Sequence, residues 1–205
     1  MNDRPCLVLV RHGQSVGNLT GDYSASLHDN LTKAGWGQAK RLAGKWESAF
    51  DRIFVSPLGR TRQTAMPTLE KFRTRGELWS DLAECCWQEP RSLPPSDPEL
   101  PLVPLPLEPH ETPWFETSGL VGAPPTFERY QDGLRRMRRA AQRLDDLCRA
   151  GNSVLVFSHG YAISKLVILL TGRGHVDEVY ELRNAGVTRL VPEGDRYGVE
   201  AFDED

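Results

Sequence analysis

The sequence predicts an α/β protein: a three-layer α/β/α sandwich with a mostly parallel central sheet. Three observations predict it. Short continuous apolar runs alternate with segments whose apolar residues recur every three or four positions. That is the pattern of strands buried on both faces alternating with amphipathic helices. Each run stops at a polar or glycine-containing stretch, as parallel strands do where a crossover helix begins. The chain has 205 residues, 39% hydrophobic and 26% charged, the size and balance of one soluble domain with a sizeable core.

Cys6–Val10 is the first such run, apolar throughout and rich in β-branched residues. Leu31, Ala34, Gln38, Ala39, Leu42 and Trp46 then share one helical face, with Thr32 as the predicted N-cap. Ile53–Val55 is the second strand. Ser56-Pro57 follows, and proline suits a first helical turn, so the next helix is expected to start there and to end or kink at Pro67. Val154–Phe157 is the third strand, followed by Ile163, Leu166, Val167 and Leu170 at helical spacing. Val187–Val191 and Tyr197–Phe202 read as a closing hairpin turned by Pro192-Glu193-Gly194-Asp195.

One stretch departs from the pattern. Of the 15 prolines, 11 lie between Pro90 and Pro125, and from Glu84 to Glu128 there are eight acidic residues and one basic residue, Arg91. Such a segment sustains no long helix and no central strand. Leu100, Leu102, Leu105, Leu107, Trp114 and Phe115 lie within it, so part of it must pack. It is read as a cap insertion, residues 85–125, within a single domain spanning residues 1–205. From Thr126, the predicted N-cap, the residues Phe127, Tyr130, Leu134, Met137, Ala141, Leu144 and Cys148 step along one helical face. Arg129, Arg135, Arg136, Arg138, Arg139 and Arg143 occupy the other, a solvated face paired with Asp132, Asp145 and Asp146.

Lys plus Arg is 25 and Asp plus Glu is 28, a formal net charge of −3. That balance gives no pull toward nucleic acid or an anionic membrane. No apolar run approaches the roughly 20 residues that span a bilayer, and the amino-terminal residues lack a signal-peptide layout. The expected location is the cytoplasm. Cys6, Cys85, Cys86 and Cys148 have no zinc or redox spacing and read as free thiols.

In open α/β sheets ligands bind beyond the carboxyl ends of the strands. Three strand ends carry unusual residues. Arg11-His12-Gly13-Gln14-Ser15, then Asn18, follow the first strand. Ser56-Pro57-Leu58-Gly59-Arg60-Thr61-Arg62 follow the second, and Ser158-His159-Gly160 the third. Two histidines and two arginines gathered at one rim suit a tetrahedral oxyanion. Arginine offers a planar fork of donors that stays charged, and a neutral imidazole is a nucleophile. Arg62 lies about 200° around a helix axis from Arg60 and so faces elsewhere. A metal is not expected, because arginines repel a cation and no carboxylate completes a ligand set.

Arg11-His12-Gly13 within Leu7–Ser15, Asp29-Asn30-Leu31-Thr32 with Gly35 and Gln38-Ala39, Ser56–Arg60 and Ser158–Gly160 together resemble the motifs of the histidine phosphatase superfamily, which includes the cofactor-dependent phosphoglycerate mutases. The resemblance covers both ends of the chain and fails between about Cys85 and Pro125. It implies that His12 is the nucleophile and takes up the phosphoryl group. It implies that Arg11, Arg60 and a protonated His159 hold the phosphate oxygens, with Asn18 and, more weakly, Ser15 as further contacts. The backbone amide of Gly160, at a helix start, adds an anion donor. The general acid falls on Glu84 in Leu82-Ala83-Glu84, with Asp81 and Glu89 as runners-up, because Cys85-Cys86-Trp87 stands where the family has Gly and Trp-Glu-Gly.

The activity so implied is a phosphatase: a phosphoric monoester hydrolase without metal or other cofactor, acting on a small phosphorylated metabolite, with a phosphopeptide as the alternative. A phosphoglycerate mutase ranks second, because Thr20–His28 lacks the tryptophan of the mutases' substrate segment. A catalytically silent phospholigand-binding protein ranks third. His28 and His110 read as exposed loop residues, and His175 as a loop or helix-start residue.

Overall fold

A computed structural model describes residues 7–24, 26–117 and 121–204. The strands and helices in chain order are β1 (Leu7–Arg11), α1 (Val16–Thr20), α2 (Lys33–Lys45), β2 (Arg52–Val55), α3 (Gly59–Phe72), β3 (Gly76–Leu78), β4 (Val103–Pro104), β5 (Phe115–Glu116), β6 (Gly122–Ala123), α4 (Tyr130–Arg149), β7 (Val154–Ser158), α5 (Gly160–Thr171), β8 (Val187–Glu193) and β9 (Arg196–Glu204). Seven strands form one sheet in the order β5-β3-β2-β7-β1-β8-β9. From β5 to β1 neighbouring strands are parallel; β8 and β9 are antiparallel. This is the predicted α/β architecture with a mostly parallel sheet.

The three layers follow from alternation along the central strands. Leu7, Leu9, Phe54, Val154 and Val156 point to one face, where Leu134, Met137 and Leu144 of α4 and Ile163, Leu166 and Leu170 of α5 cover them. Val8, Val10, Ile53, Val55, Leu155 and Phe157 point to the other, against Leu42 of α2 and Ala65, Met66 and Leu69 of α3. Both faces are apolar, so the strand sequences show no polar alternation. Full burial of such side chains contributes about 1.5–3 kcal/mol each.

Several element boundaries differ from expectation. Ser56-Pro57 does not open α3, which starts at Gly59 with Leu58 as N-cap; Ser56 stays buried at the strand end, its hydroxyl against His159. Pro67 does not stop α3 either, and the helix continues to Phe72. Ala65, Met66 and Leu69 anchor it to the sheet on both sides of the proline, which outweighs one lost hydrogen bond. Thr126 is not the N-cap of α4. It lies in a turn closed by Glu128 N–H to the Pro125 carbonyl, Phe127 is 73% exposed, and the helix starts at Tyr130, where Asp132 accepts from the Arg129 amide. The basic face of α4 is not wholly solvated, because Arg136 is buried against Glu128. Its other arginines find partners mostly in other segments: Arg139 on Asp81 and Glu99, and Arg143 on Glu77.

The proline-rich stretch contributes β5 to the edge of the main sheet and a two-stranded ribbon of β4 with β6. Leu105 and Phe115 are buried, while Leu100, Leu102, Leu107 and Trp114 are half-buried. Cys85 and Cys86 are free thiols, and they and Cys148 are buried; Cys6, placed in the first strand above, lies outside the described residues. Among the described residues no helix is long and apolar enough to cross a membrane.

Candidate active site

Register assembles the site. Arg11 of β1 pairs with Ser158 of β7, so the next residues, His12 and His159, leave the sheet side by side. Their ring centroids are 5.2 Å apart at an interplanar angle of 61°. Val55 of β2 pairs with Phe157, which brings Ser56 to the same rim. Arg60, in the first turn of α3, donates from Nε to Nε2 of His12 at 3.2 Å.

The tautomer of His12 follows from its partners. Nδ1 lies 2.7 Å from the Gly13 carbonyl, which can only accept, so Nδ1 carries the proton. Arg60 can only donate, so Nε2 presents its lone pair. Burial holds the His12 pKa well below the usual imidazole range; Arg60 and Arg11 push the same way, and the Gly13 carbonyl opposes them. The ring is neutral at neutral pH.

His159 is fully buried beneath this ring. Its Nε2 lies 2.8 Å from the Ser56 hydroxyl, which already accepts from the Leu58 amide. A hydroxyl both donates and accepts, so Ser56 serves either tautomer of the ring. Burial, then Arg60, His12 and Arg11, hold its pKa well below the usual range. These influences favour the neutral ring over the protonated one that the resemblance implies. Both Nδ1 of His159 and Nε of Arg11 are buried nitrogens without a hydrogen-bond partner among the described residues. Arg11 is otherwise anchored through Nη1 on the Leu182 carbonyl.

Arg11, His12, Asn18, Arg60, Glu84 and Gly160 all line one cavity of about 1120 Å³. Glu84 follows β3 and a short turn at Ser80–Leu82, and its Oε1 accepts from the Ala162 and Cys85 amides at 3.1 and 3.2 Å. Desolvation lifts its pKa above the usual carboxylate range, against the pull of Arg60, those two amides and Arg11. Asn18 donates to the Tyr23 hydroxyl at 3.1 Å and accepts from Asn184 at 2.9 Å. Gly160 and Tyr161 place the N-terminus of α5 on the cavity wall, where helix amides favour an anion.

Ser15 is not brought to the cavity. Its hydroxyl is fully buried and caps α1 by accepting from the Asn18 amide at 3.2 Å. Asp81 is engaged by Arg139, and Glu89 by Arg91. Arg62 pairs with buried Glu111 at 3.0 Å, away from His12. His28 and His110 are exposed, and His175 faces Asp177.

Four contributors were not anticipated. Asp29 lies 3.9 Å from Arg60, both side chains buried, and accepts from the Gly17 amide. Ser56 holds His159, Asn184 donates to the His12 carbonyl at 3.4 Å, and Tyr23 lines the cavity. Asp29 and Ser56 stood inside conspicuous motifs; nothing local marked Asn184. Among the described residues no group of three or more His, Cys, Asp and Glu is placed to hold a metal ion.

Comparisons with known proteins bear on the family and the fold. An adenosylcobalamin/alpha-ribazole phosphatase of Salmonella typhimurium is 32% identical over 170 residues, 80% of this chain and 78% of that protein. The alpha-ribazole phosphatase structure from Shigella flexneri superposes with a TM-score of 0.69 at 19% identity, covering 97% of this chain and 96% of that one. A phosphoserine phosphatase of Entamoeba histolytica in complex with 3-phosphoglyceric acid gives a TM-score of 0.65 at 20% identity, again over 97% and 96%. At those identities the structural likeness is one of fold. The family model of the histidine phosphatase superfamily, branch 1, matches residues 7–205, and the chain belongs to that superfamily.

Proposed function

We propose that this protein is a metal-independent phosphomonoester hydrolase that acts through a phosphohistidine on His12. One observation carries the reading. The Nε2 lone pair of His12 is fixed by the Gly13 carbonyl on the far side of the ring, beside two buried nitrogens that have no protein partner among the described residues, Arg11 Nε and His159 Nδ1. Buried polar atoms are nearly always satisfied, and a phosphoryl oxygen satisfies both when the His159 ring proton sits on Nδ1.

In this mechanism Arg11 and Arg60 neutralise the phosphoryl oxygens, and His159 Nδ1–H, Asn18 and the α5 amides donate to them. Nε2 of His12 attacks phosphorus as the ester P–O bond breaks. The departing alkoxide takes the proton of Glu84, whose protonated form desolvation favours. Glu84, now ionised, removes a proton from water. The resulting hydroxide displaces His12 from phosphorus and releases inorganic phosphate. Small phosphorylated metabolites fit a cavity of about 1120 Å³.

Rapid acid-free quenching with labelled substrate is expected to trap a phosphohistidine that is missing in His12→Ala. Inorganic phosphate release should exceed interconversion of 3- and 2-phosphoglycerate. Mutase turnover far above hydrolysis would move the assignment to a phosphotransferase. Tight phosphoester binding with neither activity would leave a phospholigand-binding protein.

A further inference from the structure

Resting on that reading, we infer that the alcohol part of the substrate carries a flat aromatic or heteroaromatic ring and no second anionic group. The cavity has two chemically distinct ends. The positive side chains among its described lining residues are Arg11 and Arg60, and both belong to the phosphoryl end around His12. The outer part offers a second anion no such partner. It carries instead Glu128, already matched by buried Arg136, and exposed Glu181. A carboxylate or second phosphate on the alcohol would find Glu181 there and no unmatched cation.

What the outer part does offer is aromatic surface. Trp87 and Tyr161 line it while 49% and 36% exposed, and Tyr23, 53% exposed, joins them to the phosphoryl end, its hydroxyl 3.1 Å from Asn18. They come from three separate segments: the loop after α1, the chain beyond Cys86, and the first turn of α5. A soluble protein exposes a gathering of large aromatic side chains from separated segments where something docks. Aromatic faces prefer offset or edge-on partners of the same kind, so a ring gains more there than an aliphatic group. The cavity, at about 1120 Å³, is larger than a phosphoryl group with a three-carbon alcohol requires, and holds a ring with room to spare.

Two measurements on the full-length protein test this. The first compares kcat/KM for 2-phenylethyl phosphate and 3-phosphoglycerate, both esters of alkyl alcohols. The second measures calorimetric binding of their non-hydrolysable counterparts, 2-phenylethylphosphonate and 3-phosphonopropanoate. The phenyl compound should lead by about tenfold or more in each. Trp87→Ala and Tyr161→Ala should each raise KM for the phenyl ester more than for the carboxylated one. Trp87→Phe, which keeps a ring, should restore much of the difference. Equal or better handling of the carboxylated compounds overturns the inference, as does a preference that survives both alanine variants. If no ester is hydrolysed yet the phosphonate preference holds and falls in the variants, the ring subsite stands and the hydrolase reading fails.

Discussion

Glu128 and Arg136 meet through two hydrogen bonds of 2.7 Å, Nε to Oε1 and Nη2 to Oε2, with both side chains 5% exposed. The remaining guanidinium nitrogen donates to the Asp81 and Ala83 carbonyls at 2.8 and 3.3 Å. One buried pair therefore ties α4 to the chain just before Glu84. Removing one partner leaves an uncompensated buried charge, which costs about 3–5 kcal/mol. Arg136→Met should lower the unfolding free energy by that amount, read from urea titration. The double variant Glu128→Gln/Arg136→Met should be more stable than Arg136→Met alone. Phosphatase turnover should fall in both, because the segment bearing Glu84 loses its tether.

The two buried histidines make stability depend on pH. In the folded protein both pKa values lie well below the usual range, chiefly through burial; in the unfolded chain they return to about 6.5. Below that value the unfolded state binds protons that the folded state does not. The neutral-ring contribution is thus fully present above about pH 6.5 and is lost as the pH falls toward the folded-state values. With two such sites the slope approaches about 2.7 kcal/mol per pH unit. Urea titrations at pH 7.5 and 5.5, without phosphate, should show this loss, and His159→Asn should reduce its steepness to about half. Unchanged stability over that interval would mean that the rings are accessible.

Glu84 should set the basic limb of activity. Its carboxyl must be protonated to serve as acid, and desolvation raises its pKa, so kcat/KM should decline as the pH climbs through that raised value. Glu84→Gln keeps the shape and removes the proton. The loss for alkyl phosphates should be about 10²–10⁴-fold, and smaller for nitrophenyl phosphate, whose leaving group needs little help. Pre-steady-state rates with both esters separate these cases.

How far the site could be read from sequence depended on where each residue's neighbours came from. His12, His159 and Arg60 were legible because continuous apolar runs mark β1, β2 and β7, and each residue stands just beyond a strand. Their convergence followed from parallel pairing, with Arg11 opposite Ser158. Ser15 was misplaced because the same hydroxyl serves a phosphate or a helix cap, and here it caps α1. The burial of Arg136 could not be read because its partner carbonyls lie more than fifty residues away. The two-residue strands β4, β5 and β6 carry no periodicity of their own and exist through long-range pairing. Asn184 lies 172 residues from His12, a separation at which one sequence gives no local sign.

The close crossing of α2 over the histidine loop gives a last test, because it reverses an ordinary expectation. Alanine in a helix normally stabilises over glycine by about 0.8–1 kcal/mol. Gly35, in the first turn of α2, is different: a Cβ there would lie 2.1 Å from the Gln14 carbonyl oxygen, and one on Gly13 would lie 2.8 Å from the Gly35 oxygen. The two backbones pass too closely for a methyl group, and Thr64 holds the Gly13 amide from the other side at 3.0 Å. Gly35→Ala must push the Gly13-Gln14 segment aside, and with it the carbonyl that fixes His12. Stability should fall by about 1–3 kcal/mol despite the better helix residue, with kcat reduced as well. Gly44→Ala in the same helix is the control, since its added Cβ would meet nothing within 4 Å. It should gain up to about 1 kcal/mol and leave turnover alone. A stabilised, fully active Gly35→Ala would show that the loop accommodates the methyl group without moving His12.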